Sequence, residues 1–149
     1  MKIETIVEID KPPSEVYDFM MDEENLILWI KNFIRLEHID GEPGQVGSTS
    51  RHIYDEDGRK VEFVEEITAN KKNELVKSIL RNKLVEITIT NKIRPTKKNY
   101  TKLTVTSKLV PKNLFYRIVT IFSKRKMINR QIEDLGRLKK AIEKLSKIE

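Results

Sequence analysis

The sequence contains no cysteine, only two histidines and a single tryptophan among its 149 residues. Without cysteine there is no disulfide framework, no thiolate nucleophile and no cysteine-ligated metal site. Glycine and proline are sparse, at five residues each, and no linker, repeat or low-complexity tract divides the chain. The longest apolar stretch, 114–122, is interrupted by Arg117 and is too short to span a bilayer. We therefore expect one globular domain over residues 1–149, long enough to bury a substantial core.

Signatures of known enzyme and cofactor sites are equally scarce. His38 and His52 are the only histidines, and neither lies in an HExxH or similar ligand spacing. No P-loop, GxGxxG or GxSxG motif is present. We predict no metal site and no cofactor. The first residues carry acidic side chains where a secretory signal would have an apolar run, which together with the lack of cysteine favours a cytoplasmic location.

Charged residues, by contrast, are plentiful, with 29 Lys and Arg against 23 Asp and Glu and a net charge of +6. The excess is confined to residues 112–149, which hold 11 basic and 4 acidic side chains. Such a segment can contact nucleic acid or an anionic membrane, or form a solvated helix face whose lysine stems cover apolar surface. No nucleic-acid-binding motif accompanies the charge, so nucleic acid is not expected as a partner. Peripheral contact with an anionic membrane stays open as an alternative, as does the choice between monomer and homodimer.

Hydrophobic periodicity predicts the secondary structure up to residue 111. Alternation predicts a strand over residues 2–10, and Pro12-Pro13 is then suited to begin a helix. Asp22 is placed to cap a second short helix that ends near Trp29. Strands of this kind build an antiparallel sheet with one wet and one covered face. Six further strands are predicted at residues 33–39, 47–54, 59–69, 75–81, 84–94 and 100–110.

One long amphipathic helix is predicted to follow the last strand. Pro111 ends that strand, Asn113 is placed to cap the helix, and apolar residues then recur every three or four positions from Leu114 to Leu145. The predicted helix has roughly 35 residues and a length of about 50 Å. The fold class is α+β, a curved antiparallel sheet of about seven strands wrapped around this helix. The residues of its apolar first half that we expect to cover the interior are Phe115, Ile118 and Phe122.

A series of short motifs in this order resembles the START-like, or SRPBCC, superfamily and its polyketide cyclase/dehydrase branch. The resemblance spans essentially the full chain and implies a helix-grip fold that encloses a cavity for apolar or amphipathic small molecules. No catalytic signature is common to all members of the superfamily, so the resemblance implies an architecture and a ligand class rather than a reaction. The motifs are Ile9-x-x-Pro12-Pro13-x-x-Val16-Tyr17, Asp22-x-Glu24-Asn25-x-x-x-Trp29, Gly41-x-Pro43-Gly44-x-Val46-Gly47-Ser48, Glu65-Glu66-Ile67 and Asp134-Leu135-x-x-Leu138-Lys139.

The strand register identifies the side chains that face this interior. A hairpin at residues 55–58 puts even positions of the third strand on the same face as odd positions of the fourth. With a two-residue turn, Ser50 lies opposite Glu65 and His52 opposite Phe63, so His52 and Glu65 are diagonal neighbours. The predicted ligand-binding residues are Trp29, Ser50, His52, Tyr54, Phe63, Glu65, Ile87, Ile89, Leu103, Val105, Phe115, Ile118 and Phe122.

Three classes of function fit these features. The favoured one is binding or transport of a small hydrophobic or amphipathic molecule, such as a lipid, a quinone or a polyketide-like compound, in the internal cavity. The second is a cyclase or dehydratase that uses Glu65 and His52 as acid and base. The third is an interaction module that docks through the basic C-terminal helix. Structural roles compete with each: Trp29 is commonly a core residue at a helix end, and a buried His52–Glu65 pair can simply fix strand register.

Overall fold

The structure is a computed structural model and describes residues 1–145. In these residues the predicted order of strand, two short helices, six strands and one long helix is confirmed. Residues 146–149, into which the predicted last helix extends, lie outside the described residues. The strands are β1 (Lys2–Ile9), β2 (Phe33–Asp40), β3 (Thr49–Glu56), β4 (Arg59–Lys71), β5 (Leu75–Arg81), β6 (Val85–Pro95) and β7 (Thr101–Pro111). The helices are α1 (Pro13–Met21), α2 (Leu26–Trp29), which follows a 3-10 turn at Glu23–Asn25, and α3 (Leu114–Lys144).

The seven strands form one antiparallel sheet in the order β1-β7-β6-β5-β4-β3-β2. β1 and β2 lie at opposite edges, so the segment that contains α1 and α2 crosses the sheet between them. It crosses on the face that α3 also covers, because α1 contacts both β6 and α3. All later connections between strands join neighbours in the sheet, for which short turns suffice. The helices therefore share one face, and the opposite face of the sheet is left to solvent.

The β3–β4 hairpin sets the register of the inner face. Asp57 and Gly58 have φ angles of 55° and 85°, the pair of positive values that a type I′ turn requires and that Asp-Gly tolerates. A bulge in β4 lies between residues 67 and 69, beyond the region that concerns the site. The predicted register is therefore confirmed. The pairs that define it are Ser50 with Glu65 and His52 with Phe63.

The packed core lies where α1 and the C-terminal half of α3 cover β1, β6 and β7. Leu138 and Ile142 have no exposed surface and Leu135 has 3%. Their three- and four-residue spacing puts them on one side of the helix. Each fully buried aliphatic side chain contributes about 1.5–3 kcal/mol, so this half of α3 anchors the helix. The other buried members of the cluster are Ile9, Val16, Phe19, Ile93, Leu103 and Val105.

Polar contacts hold the middle of α3 to the segment between α2 and β2 and to the end of β3. Arg130 lies 2.7 Å from the carboxylate of Glu56 and donates a hydrogen bond to the Lys31 carbonyl at 2.8 Å. Asp134 accepts a hydrogen bond from the Lys31 N–H at 3.2 Å and also pairs with Arg137. These contacts fix the position of the helix as well as its rotation about its own axis.

The N-terminal half of α3 turns its apolar side chains away from the sheet. Thr120 and Leu138 are 18 residues apart, which is five turns of about 3.6 residues, so they lie on the same side of the helix. Phe122 is likewise in line with the exposed Lys140. Burying Leu138 therefore turns Thr120 inward and Phe122 outward. The expectation that Phe115, Ile118 and Phe122 cover the interior is wrong, since they are 67%, 48% and 85% exposed.

Candidate functional site

The inner face of β3, β4 and β5 brings together His52, Glu65 and Ser78. The Nε2 atom of His52 lies 3.3 Å from Oε1 of Glu65, and the Ser78 hydroxyl donates a hydrogen bond to Oε2 of Glu65 at 3.1 Å. His52 and Ser78 are buried, whereas 21% of the Glu65 side chain is exposed. The proximity of His52 and Glu65 that the register predicted is confirmed. The carboxylate thus lies between an imidazole and a hydroxyl, at the border between the interior and solvent.

The imidazole of His52 has unused hydrogen-bonding capacity. Neither of its ring nitrogens makes a hydrogen bond with any part of residues 1–145, although the residue is only 4% exposed. The contact with Glu65 is close enough for charge pairing, but the two groups are not aligned as donor and acceptor. The ring of Phe33 packs edge-on against the imidazole, with 5.8 Å between centroids. An unsatisfied polar group of this kind costs about 1–3 kcal/mol, so a hydrogen-bonding partner would stabilise it.

Aromatic rings continue the site along β2, β3 and β4. Tyr54 packs edge-to-face against Phe33 at 5.5 Å and against Phe63 at 6.0 Å. Burial raises the pKa of the Tyr54 hydroxyl, and the negative charge of Glu65 raises it further. The phenol is consequently a neutral hydrogen-bond donor over the physiological pH range.

The apolar part of the predicted site is only half covered. Phe63, Ile87 and Ile89 lie on the inner face, yet each keeps part of its side chain exposed. The reason is that α3 packs mainly on β1 and β7 and α1 on β6, which leaves the inner face of β3–β5 less covered. Ile89 pairs with Ser78 and Ile87 with Leu80, so the apolar surface adjoins the polar group. We call this half-covered surface, together with His52, Glu65 and Tyr54, the concave site.

The other predicted residues on the strands belong to the packed interior. Leu103 and Val105 are buried in the core cluster beneath α3. Ser50 is also buried, opposite His38 of β2. These three side chains are buried and do not form part of the open surface of the concave site. The residues that the structure does not bring to the site are Phe115, Ile118 and Phe122, on the outer side of α3.

Trp29 ends α2 and packs, half-buried, against the core cluster. Its carbonyl accepts a hydrogen bond from Nε of Arg137 at 3.0 Å. Its indole N–H is buried and has no hydrogen-bond partner within residues 1–145. This packing matches the core role that competed with ligand binding for Trp29.

Gln131 of α3 is a residue of this region that sequence reasoning missed. Its side-chain oxygen accepts a hydrogen bond from Ser107 at 2.7 Å, and its NH₂ group donates to the Thr5 hydroxyl at 2.9 Å and to the Val105 carbonyl at 3.2 Å. The contacts join α3 to β1 and β7 at the border between the packed core and the concave site. No local pattern predicts them, because Thr5 is 126 positions away in the chain.

A separate surface groove of about 480 Å³ lies between the end of α1 and the loop after β2. Its walls include Tyr17, Asn70 and the acidic residues 22–24. The Tyr17 hydroxyl donates to Oδ1 of Asn70 at 2.8 Å, and the Asn70 amide donates to the Gly44 carbonyl at 2.7 Å. These hydrogen bonds join α1 to β4 and give the Tyr17 hydroxyl and the Asn70 side chain hydrogen-bond partners. The acidic rim makes the groove a poor match for an apolar ligand, so we assign the candidate site to the concave face.

The concave site offers hydrogen bonding and proton transfer. His52, Glu65, Tyr54 and Ser78 supply an imidazole, a carboxylate, a phenol and a hydroxyl within one region of the inner face. In the described part of the chain, no three His, Asp or Glu side chains are grouped so that they could hold a metal ion.

Comparisons with known proteins rest on structure rather than sequence. No protein-family model matches the chain, and no curated protein matches it. The structure of TTHA0849 from Thermus thermophilus matches with a TM-score of 0.78 at 19% identity, covering 95% of this chain and 97% of that chain. The Zhui aromatase/cyclase from Streptomyces sp. R1128 matches with a TM-score of 0.78 at 12% identity, covering 97% and 94%. Ara h 8.0201 matches with a TM-score of 0.69 at 14% identity, covering 95% and 97%.

At these identities the shared property is the fold. A seven-stranded antiparallel sheet with a long C-terminal helix packed on one face is common to this chain and to structures such as Zhui. The chain therefore has a helix-grip fold. The fold that the sequence motifs implied is confirmed.

Proposed function

We propose that the protein binds a small amphipathic molecule at the concave site. The observation that carries the proposal is His52, whose ring is buried, makes no hydrogen bond within residues 1–145 and adjoins a half-covered apolar surface. A ligand carbonyl or hydroxyl would satisfy the imidazole, and an apolar body would cover Phe63 and Ile87. The ligand classes that fit are those predicted from the sequence: lipids, quinones and polyketide-like aromatic compounds. Zhui is named an aromatase/cyclase, so its sharing of the fold supports this ligand range.

Ligand binding is tested by native mass spectrometry and thermal shift. The probes are a fatty acid, a short-chain quinone and a flat polyphenol, each added to the purified protein. A ligand at a hundredfold excess over Kd should stabilise the folded state by about 2.7 kcal/mol. Absence of stabilisation by every probe, together with absence of any retained molecule in the native mass spectrum, would contradict the proposal.

Two neighbouring substitutions in β6 locate the binding surface. Ile87→Trp should fill the concave site and abolish the thermal shift, because Ile87 lies on the half-covered inner face. Thr88→Trp is the matched control, since alternation along the strand puts Thr88 on the outer face. Loss of binding in both variants, or in neither, would place the ligand elsewhere.

The convergence of ionisable groups favours a second candidate, an acid–base enzyme of the cyclase or dehydratase type. Glu65, held by Ser78 and adjoining His52, is the residue to accept or donate the proton. Glu65→Gln should keep ligand binding and abolish turnover of a linear polyketone substrate. Glu66→Gln is the control, because Glu66 pairs with Arg81 away from the concave site. If the wild-type protein binds such a substrate without converting it, the enzymatic candidate fails and the binding proposal stands.

A further inference from the structure

Six large apolar side chains at the start of α3 are exposed to solvent. They lie within nine consecutive positions, 114–122, and their exposed fractions run from 38% to 85%. A continuous exposed apolar surface on a folded protein commonly marks a contact site. We call this surface the apolar face. Its members are Leu114, Phe115, Ile118, Val119, Ile121 and Phe122.

The packing of the rest of α3 keeps the apolar face outside. Leu114 lies five turns before Ile132, which is 51% exposed, and Phe122 lies five turns before the exposed Lys140. The positions of this half that lie five turns before the buried Leu135, Leu138 and Ile142 are Arg117, Thr120 and Lys124, all of which are polar. Rotating the apolar face onto the sheet would pull the buried C-terminal half out of the core. The apolar face is therefore available to a partner outside the chain.

Positive charge lies along one border of the apolar face and at its C-terminal end. Residues 112–132 contain six Lys and Arg and no Asp or Glu. Arg130 pairs with Glu56, whereas the other five are exposed and form no ion pair in the described part of the chain. At about 100° per residue, Arg117 and Lys124 lie along one border of the apolar face, whereas Arg125 and Lys126 follow Phe122 and continue the direction of the face along the helix. The five exposed cations are Lys112, Arg117, Lys124, Arg125 and Lys126.

The turn between β5 and β6 lies beside the start of α3. The N–H of Lys112 donates a hydrogen bond to the Leu84 carbonyl at 2.9 Å, which fixes this turn beside the start of α3. Leu84 is 38% exposed and Val110, on the end of β7, is 52% exposed. Lys83 adds a further exposed cation. Apolar and basic side chains from three elements thus share one end of the molecule.

We infer that the apolar face docks the protein on the surface of an anionic lipid bilayer. A helix with Leu, Ile and Phe on one side and Lys and Arg at the border of that side lies in the membrane interface, with its apolar side in the acyl boundary. Each Lys or Arg near anionic headgroups adds about 1 kcal/mol, and the cytoplasmic leaflet is anionic. In residues 1–145 no helix is long and apolar enough to cross a membrane. A second copy of the chain is a poorer partner, because it would bring five like charges against five.

The docking surface and the concave site are distinct. The apolar face points away from the sheet, whereas His52, Glu65 and Ile87 lie on the inner face. The inference therefore does not rest on the proposed ligand, and either proposal can fail without the other.

Vesicle co-sedimentation tests the docking. The full chain should sediment with vesicles of phosphatidylcholine and phosphatidylglycerol at about 0.1 M salt and be released at about 1 M salt, where screening is short-ranged. It should not sediment with pure phosphatidylcholine vesicles. Equal binding to both kinds of vesicle, or to neither, overturns the inference.

Matched substitutions separate the apolar and basic contributions. Phe122→Ser should weaken vesicle binding about tenfold or more, whereas Ile6→Ser, at an exposed position of β1, should leave it unchanged. Reversing Lys124 and Lys126 to Glu should weaken binding about tenfold or more, whereas the same change at the exposed Lys77 and Lys92 should not. If the control variants lost vesicle binding to the same extent as the α3 variants, binding would depend on general surface properties rather than on the apolar face. That result would overturn the inference.

Two further measurements address other occupants of the apolar face. Analytical ultracentrifugation should give the same oligomeric state for the wild type and for Phe122→Ser. If the wild type is a dimer that Phe122→Ser dissociates, and the wild type does not bind vesicles, the apolar face is an interface with a second copy and the inference is overturned. Retention on nucleic acid without vesicle binding would overturn the inference as well. Because the changed side chains are exposed, all four variants should unfold at the urea midpoint of the wild type.

Discussion

The two halves of α3 have apolar residues at the same helical spacing but opposite surroundings. In the C-terminal half, Leu135, Leu138 and Ile142 are almost completely buried. In the N-terminal half, Leu114 and Phe122 are 71% and 85% exposed. The difference teaches that helical periodicity identifies an apolar stripe but not the partner that covers it. One continuous helix here has two such stripes on different sides, and only the C-terminal one is part of the core.

The inner face of the sheet is also covered to different extents. The C-terminal half lies over the filled cluster that contains Ile9 and Leu103. The N-terminal half turns the smaller Thr120 inward, and the inner face farther along the sheet, with Phe63, keeps exposed apolar surface. A helix that is anchored at one end and leaves the inner face of the neighbouring strands β3–β5 incompletely covered is suited to admitting a ligand without unfolding.

The largest expected effect comes from truncating one apolar residue in each half. Leu138→Ala removes a fully buried side chain from the core and should destabilise the protein by about 2–5 kcal/mol. Phe122→Ala should change the free energy of unfolding by less than about 0.5 kcal/mol, because the ring is 85% exposed. Urea unfolding monitored by circular dichroism measures both. Comparable destabilisation by the two substitutions would show that the apolar face is buried and would remove the contrast between the halves.

The next effect is expected at the border between the halves, at Gln131. Gln131→Leu keeps the volume of the side chain but leaves the hydroxyls of Ser107 and Thr5 without their partner. Leaving buried polar groups unpaired costs about 1–3 kcal/mol, so urea unfolding should show a loss of that size. Ile132→Ala, one residue along the helix and 51% exposed, is the control and should have little effect. If Gln131→Leu were as stable as the wild type, water would have to replace the Gln131 amide as the hydrogen-bond partner. Solvent would then reach this border.

The sequence predicted those features that local chemistry determines. The positive-φ turn at Asp57–Gly58 sets the β3–β4 register, and the register sets the neighbourhood of His52 and Glu65. A long helix from Leu114 was predicted because the apolar spacing up to Leu145 is regular, and the structure has a helix over Leu114–Lys144. The rotation of that helix was not predictable, since it depends on contacts of Arg130 and Leu138 with segments about a hundred residues earlier. The open apolar surface is also a property of tertiary packing, and no pattern within one strand reveals it.

A smaller effect, dependent on pH, is expected at the pair that fixes the rotation of α3. Burial acts to raise the pKa of Glu56, but hydrogen bonds from Arg130 and Asn32 outweigh it and hold that pKa below its ordinary value of 4.5. A carboxyl whose pKa is lowered on folding stabilises the protein above its unfolded pKa and loses that contribution as the pH falls through the folded pKa. Glu56→Gln should therefore destabilise by about 1 kcal/mol at neutral pH and by progressively less below about pH 4.5.

The control for this pair must allow for Asp134, which lies beside it. Burial raises the pKa of Asp134, so its contribution to stability changes with pH in the opposite direction. The quantity to compare is thus the difference in the free energy of unfolding between wild type and Glu56→Gln at each pH. Asp134 is present in both proteins, so its contribution cancels. Glu133→Gln, at an exposed position of the same helix, should give a difference close to zero at every pH. A Glu56→Gln difference that grows on acidification would contradict the assigned direction of the Glu56 shift.

The smallest effect concerns Tyr54, which marks where the packed interior gives way to the concave site. Burial, aided by the charge of Glu65, raises the pKa of this hydroxyl, so the folded protein should keep its proton at about pH 11. The phenolate absorbance of wild type and Tyr54→Phe should then be equal when both are folded. In urea the wild type should show one additional phenolate, because the hydroxyl is solvated there. Since the unfolded chain releases this proton above about pH 10 and the folded chain does not, stability should fall as the pH rises through that range in the wild type, and less steeply in Tyr54→Phe. An additional phenolate in the folded wild type would place the hydroxyl in water and extend the open surface of the concave site to β3.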